Sequence, residues 1–473
     1  MADAPPPAPV PIAPPRRFRH WRRILAALTG LGLFAGGFWY FYIRDELPPD
    51  DADLRPTGRD VPDEENGERV FESDVKGGFD FGAYAAANGV EGYEASQILF
   101  ANASNNALVA GYLDHIQPEL VQVETALNKP YFEFYRPEDN LDTLRSLSLF
   151  LNCGRTLMLA ARFAQAQGDF ATVGKEIALA EKLARRIADG HGSIIQVLTA
   201  MTIDGMAHEM AVDALNDPQI PLIAITFLQQ AFRPEIAWVP ACQNAYRREY
   251  QFFRSRLEKL QRDSTSLDRL MSSNPREPSL LTRNIKSNQT LRLLADTSRI
   301  TIAAAELDYA DLAQQYPALL APAEPGPMSS WEILLPNGGG RRMQALAMEG
   351  GRGILATKFT FLAADRLVLI ALAIRHYYAD HHALPAKLSD LAPQYLPAVP
   401  IDPFDNQPLL YDATHGLIYS VGTSLKDNGG SKFLHQSKAD PDYQYPLFDE
   451  EQPTLQLEFQ TPPPASGSTN AAK

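Results

Sequence analysis

The stretch RHYYADHH, residues 375–382, holds the densest group of side chains that could carry chemistry. His376 and Asp380 are four residues apart, about one helical turn, and His381 and His382 follow directly. Two imidazoles and a carboxylate can bind a transition metal. The same residue types also suit the end of a helix, where cationic and polar groups interact with the last carbonyls. We favour this structural interpretation.

Other reactive residue types are sparse. His208 precedes Glu209, but the second histidine that a helix-borne zinc site requires is missing, so we expect an ordinary, partly exposed pair. Cys153 and Cys242 could pair in an oxidising compartment. Isolated cysteines also behave as small hydrophobic residues, and two buried thiols are the preferred expectation. The sequence has no GxSxG elbow, Walker loop, HExxH or dinucleotide fingerprint, so it predicts no catalytic or cofactor-binding residue.

The segment Ile24–Ile43 contains no charged residue and is long enough to cross a hydrocarbon core of about 30 Å. Acidic residues follow it, and five arginines precede it: Arg16, Arg17, Arg19, Arg22 and Arg23. The positive-inside rule then places the N-terminus in the cytoplasm. These features predict a single-pass protein of a bacterial inner membrane, contacting the bilayer through residues 24–43, with its bulk outside the cytoplasm.

Two alternatives concern the same segment. Ala35 and Gly37 could precede the cleavage site of a signal peptide, but the apolar run continues beyond them. Gly32 and Gly36 form a GxxxG pair, which would let two such helices approach closely in a homodimer. A glycine-rich helix that simply faces lipid is the competing interpretation.

Charge is distributed unevenly along the chain. Residues 1–43 carry +4, which leaves −18 for the remainder of a chain whose formal net charge is −14. An acidic body repels phosphate backbones, so nucleic acid is a poor partner. The proline- and arginine-rich residues 1–23 predict a disordered tail, and the acidic residues 44–69 predict a flexible stalk.

Residues 70–353 show helical periodicity and predict an α-helical domain. A helical hairpin is expected around Gly168–Phe170, and a repeat solenoid stays open because no second copy recurs at a fixed period. Residues 322–353, with their PGP and NGGG motifs, predict a loop-rich boundary.

Residues 354–460 predict a long apolar helix followed by a small α+β module, and residues 461–473 a disordered tail. PLLYD and LIYSV alternate as strands, with Gly416 in the intervening turn. The fold class is therefore mostly α, with one transmembrane helix, a helical body and this small module.

From about Phe361 to Gly430 the chain resembles the globular part of the major pseudopilin of type II secretion. The matching residues are Asp402, Pro403, Asn406, Pro408, Tyr411, Tyr419, Ser420, Gly422, Gly429 and Gly430. In that family a small sheet lies on a long helix, and the following loop can bind calcium. The resemblance implies that Asp427, Asp440 and Asp442 are available as calcium ligands. Ser424 stands where the family has an acidic ligand, so a structured loop with an empty or weak calcium site is the preferred expectation. The transmembrane segment is far from the pilin-like helix and lacks the family's leader, so a pilus subunit is not expected.

Two functions follow as hypotheses. In the first, this is a non-enzymatic envelope protein that binds other envelope proteins, in a role related to a secretion or pilus-like apparatus. In the second, it is a membrane-tethered hydrolase or ligand-binding protein with a site in the helical domain. A pocket of converging polar groups would favour the second.

Overall fold

The computed structural model describes residues 16–55, 57–75, 79–90, 92–100, 106–135, 147–262, 285–320, 335–430 and 453–457. Over these residues the protein is mostly helical, as the periodicity predicts, with a small three-stranded sheet near the C-terminus. The helices are α1 Arg16–Phe38, α2 Gly67–Asp74, α3 Phe81–Ala87, α4 Gly92–Phe100, α5 Asn106–His115, α6 Gln117–Leu127, α7 Leu147–Ala166, α8 Phe170–Asp189, α9 Ile194–Asn216, α10 Leu222–Phe232, α11 Trp238–Arg262, α12 Ser287–Ala304, α13 Tyr309–Gln315, α14 Pro317–Leu320 and α15 Gly338–His381.

The N-terminal helix α1 is continued by one π-turn over Trp39–Ile43. Its span Arg23–Tyr42 is 20 residues long, has a mean hydropathy of 1.6, and has none of its apolar window buried against protein. The helix is therefore long and apolar enough to cross a membrane. Near Gly32 and Gly36 a Cβ atom would meet nothing within 4 Å, so the GxxxG contact stays a prediction.

The chain divides into two compact units. The smaller comprises residues 1–50, 256–293 and 326–345. In it the Asp45 carboxylate accepts hydrogen bonds from the backbone N–H groups of Asn288 (2.9 Å) and Gln289 (3.1 Å) in the first turn of α12. An acidic group at a helix N-terminus satisfies free N–H donors and interacts well with the helix dipole. Glu46 adds an ion pair to Arg292 at 3.0 Å.

The larger unit comprises residues 51–255, 294–325 and 346–473 and is built on the hairpin of α7 and α8, which confirms the sequence prediction. Gly168 takes a positive φ of 74° after α7, a conformation that costs glycine little. Asp169 then caps α8 by accepting a hydrogen bond from the Thr172 N–H at 3.2 Å. This short connection brings α7 and α8 together as neighbours.

Two apolar helices complete this core. Helix α9 packs against both α7 and α8 and is buried along most of its length. In α15 every residue from Leu367 to Ile374 is buried. Helical segments that are buried on nearly every side in this way lie at the centre of the core.

The expected domain boundary at residues 353 and 354 does not exist in the structure. Helix α15 runs through it without a break, and one hydrophobic core joins residues of the predicted helical domain to residues of the predicted C-terminal module. The glycines of the NGGG motif lie at the start of this helix instead of in a loop. Residues 321–334 of the expected loop lie outside the described residues.

The small sheet follows α15. Strands β1 Leu410–Asp412 and β2 Leu417–Tyr419 pair in antiparallel register, as predicted, and β3 Thr454–Gln456 adds a third strand on β2. Gly416 has a φ of 65° in the β1–β2 turn. Asp402 ties the module together: its buried carboxylate accepts hydrogen bonds from the Ser420 hydroxyl (2.9 Å) and the Val421 N–H (2.8 Å).

The segment predicted to be a flexible stalk, residues 44–69, is mostly exposed but makes specific contacts with residues far along the chain. In the larger unit Asp51 is buried, accepts a hydrogen bond from the Tyr250 hydroxyl at 2.6 Å and pairs with Arg254. Leu54 is only 1 % exposed. Asp53 and Arg299 form a two-point ion pair, with both N···O distances 2.9 Å. The prediction was wrong because acidic composition does not show which carboxylates have partners far along the chain.

Leu54→Ala tests this packing. Removing a buried leucine side chain costs about 2–5 kcal/mol, so we expect the free energy of unfolding to fall by that order. The measurement is chemical denaturation of the full chain in detergent. Leu47 is 81 % exposed, and Leu47→Ala is the matched control. Equal, small effects of the two substitutions would show that the segment is a stalk after all.

Candidate functional site

The histidine-rich end of α15 is occupied by ordinary hydrogen bonds. The Tyr395 hydroxyl donates to Asp380 at 2.8 Å and lies 3.1 Å from His381 Nε2. His376 Nδ1 lies 3.3 Å from the Gln229 amide oxygen, and His382 is exposed with a φ of 54°. These side chains bind the end of α15 to Gln229 and Tyr395, which agrees with a structural role for the histidine-rich stretch.

The loop that would hold calcium is closed by its own side chains. Asp427 accepts hydrogen bonds from the Tyr419 hydroxyl (3.1 Å) and the Gly429 N–H (2.9 Å), and the Asn428 amide donates to the Ser424 hydroxyl at 3.1 Å. Asp440 and Asp442 lie outside the described residues. The calcium site therefore stays a prediction.

The two cysteines are free thiols in the core. Burial raises the pKa of both, which makes Cys153 and Cys242 poor nucleophiles. The preferred expectation of two buried thiols agrees with the structure.

His208 is the residue whose surroundings the sequence pattern predicted wrongly. It is completely buried instead of partly exposed, and Glu209 turns away to pair with Arg162 at 3.4 Å. The His208 Nε2 atom lies 2.6 Å from Asp365 Oδ1 and 3.6 Å from Asp204 Oδ1. Among the described residues, this is the one group of histidine, cysteine or acidic side chains whose ligand atoms could converge on a metal ion.

Two helices contribute the side chains of this group. Asp204 and His208 are four residues apart on α9 and face the same direction, while Asp365 comes from α15. The His208 ring stacks on Phe232 of α10, with ring centroids 5.5 Å apart. From α8, Glu181 adds a third carboxyl group and Arg185 a guanidinium, bonded to each other at 2.6 Å. We call these five residues, Glu181, Arg185, Asp204, His208 and Asp365, the buried polar cluster.

Charge in the buried polar cluster is unbalanced. Asp204, Glu181 and Asp365 are each at most 2 % exposed, and Arg185 is the one fixed cation of the five residues. Burial, together with the nearby carboxyl groups of Asp365 and Glu181, raises the pKa of Asp204 well above its usual range. The pKa of Glu181 is raised by burial and by Asp365. Three ionised carboxylates would leave net negative charge in the core, which is costly unless a proton or a cation compensates it.

One feature of the sequence could have indicated the buried polar cluster. Asp204 and His208 are polar residues at helical spacing on a helix that is rich in apolar residues. Such residues must find partners, since a buried polar group without one destabilises the fold. Asp365, the partner, is 157 positions from His208, and no local pattern indicates that distance.

A separate surface cavity of about 360 Å³ lies between α3, α5 and α6. Its walls include Asp80, Tyr84, Tyr112, His115 and Glu119. One carboxylate oxygen of Glu119 is buried there without a hydrogen-bond partner among the described residues. The cavity is of the size that small ligands occupy, and its acidic and aromatic walls suit a cationic donor.

His208→Ala should lower the free energy of unfolding by about 3–5 kcal/mol, because it leaves the Asp365 carboxyl group buried without its partner. The matched control is His415→Ala, which breaks an exposed His–Asp pair with Asp412 and should cost less than about 1 kcal/mol. Denaturant unfolding of both variants checks the difference. Similar losses in the two would contradict a structural role for the buried pair.

Glu176 on α8 gives a pH-dependent prediction. Burial raises its pKa from 4.5 to about 7, so the folded protein holds a proton that the unfolded chain releases between these values. Stability from this group is therefore present at pH 4.5 and is lost as pH rises through 7. Glu176→Gln should be nearly neutral at about pH 5 and should stabilise the protein by about 2–3 kcal/mol at about pH 8. Exposed Glu94→Gln is the control, and a pH-independent difference for Glu176→Gln would refute the assignment.

Comparison with known proteins adds no assignment: no protein-family model, curated protein or solved structure matches this chain.

Proposed function

We propose that this is a membrane-anchored protein of the bacterial envelope whose helical body binds other molecules and catalyses no reaction. The observation that carries the proposal is the exposed span Arg23–Tyr42, which has the length and hydropathy of a membrane-crossing helix. Exposing that much apolar surface to water is unfavourable in free energy. The length and composition of the helix fit the hydrocarbon core of a bilayer.

Orientation follows from charge. Five arginines precede the span, and Asp45, Glu46, Asp50 and Asp51 follow it. Positive residues are retained on the cytoplasmic side, so the short N-terminal segment lies there and residues after Arg44 lie outside. The Gly32–Gly36 pair would let two copies associate in the membrane.

The body supports binding more than catalysis. The strongest group of titratable side chains, the buried polar cluster, is enclosed by α8, α9, α10 and α15, so a substrate has no access to His208 or Asp204. Asp402 and Ser420, two of the residues that carry the resemblance to a pseudopilin, hold the C-terminal module together. On that resemblance, the partners are envelope proteins of a secretion or pilus-like apparatus.

Ligand binding is the second candidate function, favoured by the cavity between α3, α5 and α6. The buried, unpartnered oxygen of Glu119 needs a donor, and the rings of Tyr84 and Tyr112 can pack on a flat or cationic group. This function is compatible with the anchor, because a tethered receptor would hold the cavity outside the membrane.

Topology tests the proposal. A reporter active in the cytoplasm should work when fused before Arg16, and one active only outside the cytoplasm should work when fused after Asp51. Replacing the five arginines by glutamine should weaken this bias, since the orientation depends on their charge. A protein released from membranes by washing, or the opposite reporter pattern, would refute the anchored orientation.

A further inference from the structure

The buried polar cluster contains three acidic side chains and one guanidinium, that of Arg185. If all three carboxyl groups were ionised and the imidazole were neutral, two negative charges would lie in the core without compensation. Burying an uncompensated charge strongly destabilises a fold, so a proton or a cation must balance these charges. A divalent cation would match this deficit in number and sign.

The geometry is close to that of a metal centre. One ligand atom from each of Asp204, His208 and Asp365 lies within 4.8 Å of the others. Two ligands held about 2.1 Å from a tetrahedral ion are about 3.4 Å apart. The distance from His208 Nε2 to Asp204 Oδ1 is 3.6 Å, close to that value. The distance from His208 Nε2 to Asp365 Oδ1 is shorter, 2.6 Å. A shift of the Asp365 carboxylate away from His208 by less than about 1 Å would make room for an ion between them.

The buried polar cluster also contains carboxyl oxygens that have no hydrogen-bond partner among the described residues. Neither carboxyl oxygen of Asp204, which is completely buried, accepts a hydrogen bond from a donor group of the described residues. One carboxyl oxygen of Asp365 and one of Glu181 likewise have no hydrogen-bond donor among the described residues. Buried polar atoms are nearly always satisfied, and an ion is one way to satisfy several of them at once.

We propose that Asp204, His208 and Asp365 bind a divalent transition-metal ion. One imidazole with two carboxylates is a mixed nitrogen and oxygen set, which suits Zn²⁺, Fe²⁺ or Mn²⁺ better than Ca²⁺. Because the site is closed to solvent, the ion is structural: it links α9 to α15 and does no chemistry. The proposal does not depend on membrane anchoring.

The competing arrangement uses protons. Glu181 and Asp204 are close enough to share a hydrogen bond if one of them is protonated, and this also reduces the negative charge. The two arrangements make opposite predictions about chelators. A proton-sharing cluster is indifferent to them, whereas a metal-bound core loses stability when the ion is removed.

The test begins with the full-length protein purified in detergent and dialysed against metal-free buffer. Elemental mass spectrometry should find about one equivalent of a transition metal per chain. Unfolding in a chelator and refolding with Zn²⁺ or Mn²⁺ should raise the melting temperature by several degrees over refolding in chelator alone, and Ca²⁺ should not. Refolding is needed because the site has no path from solvent.

Variants locate the ion. Asp204→Asn and Asp365→Asn should reduce bound metal at least tenfold. The matched control Glu176→Gln removes another buried carboxyl of α8 that is not in the cluster and should keep the metal. Loss of metal in the control, or its retention in both cluster variants, would overturn the assignment. So would wild-type protein with less than about a tenth of an equivalent and no metal-dependent change in melting temperature, a result that needs no variant to fold.

Discussion

The contact between His208 and Asp365 is the constraint on which the larger unit depends. Helix α9 and the stretch Leu367–Ile374 of α15 are mostly apolar, and apolar contacts alone specify the rotation of a helix only weakly. A one-residue change of register would turn Asp204 and His208 by about 100° away from Asp365. The cost of a buried charge without its partner exceeds that of most packing errors, so this contact selects one arrangement.

Other aspartates of the chain also bind residues that are distant in sequence. Asp51 binds Tyr250 and Arg254 in the larger unit, Asp402 binds Ser420 and Val421 in the C-terminal module, and Asp45 caps α12 in the smaller unit. Each aspartate joins segments distant in sequence through one or two directed bonds. The strongly negative composition therefore has structural uses besides solubility.

Sequence patterns predicted the local features well. The α7–α8 hairpin and the β1–β2 turn at Gly416 both follow from periodicity, capping residues and turn chemistry. Long-range features were not predictable in this way. The acidic composition of residues 44–69 indicated a stalk, because nothing local shows that Asp51 meets Tyr250. His208 looked like a surface residue beside Glu209, since its partner lies on a helix far along the chain. The strand β3 is likewise separated from β2 by residues that give no pairing signal.

A double-mutant cycle on His208 and Asp365 tests the central claim most directly. The free energies of unfolding of the wild type, His208→Ala, Asp365→Ala and the double variant together give the coupling energy of the pair. We predict a coupling of at least about 1.5 kcal/mol, because the second substitution removes a carboxyl group that the first has left without its partner. Additive losses, with a coupling near zero, would contradict the claim that this contact fixes how α9 and α15 pack.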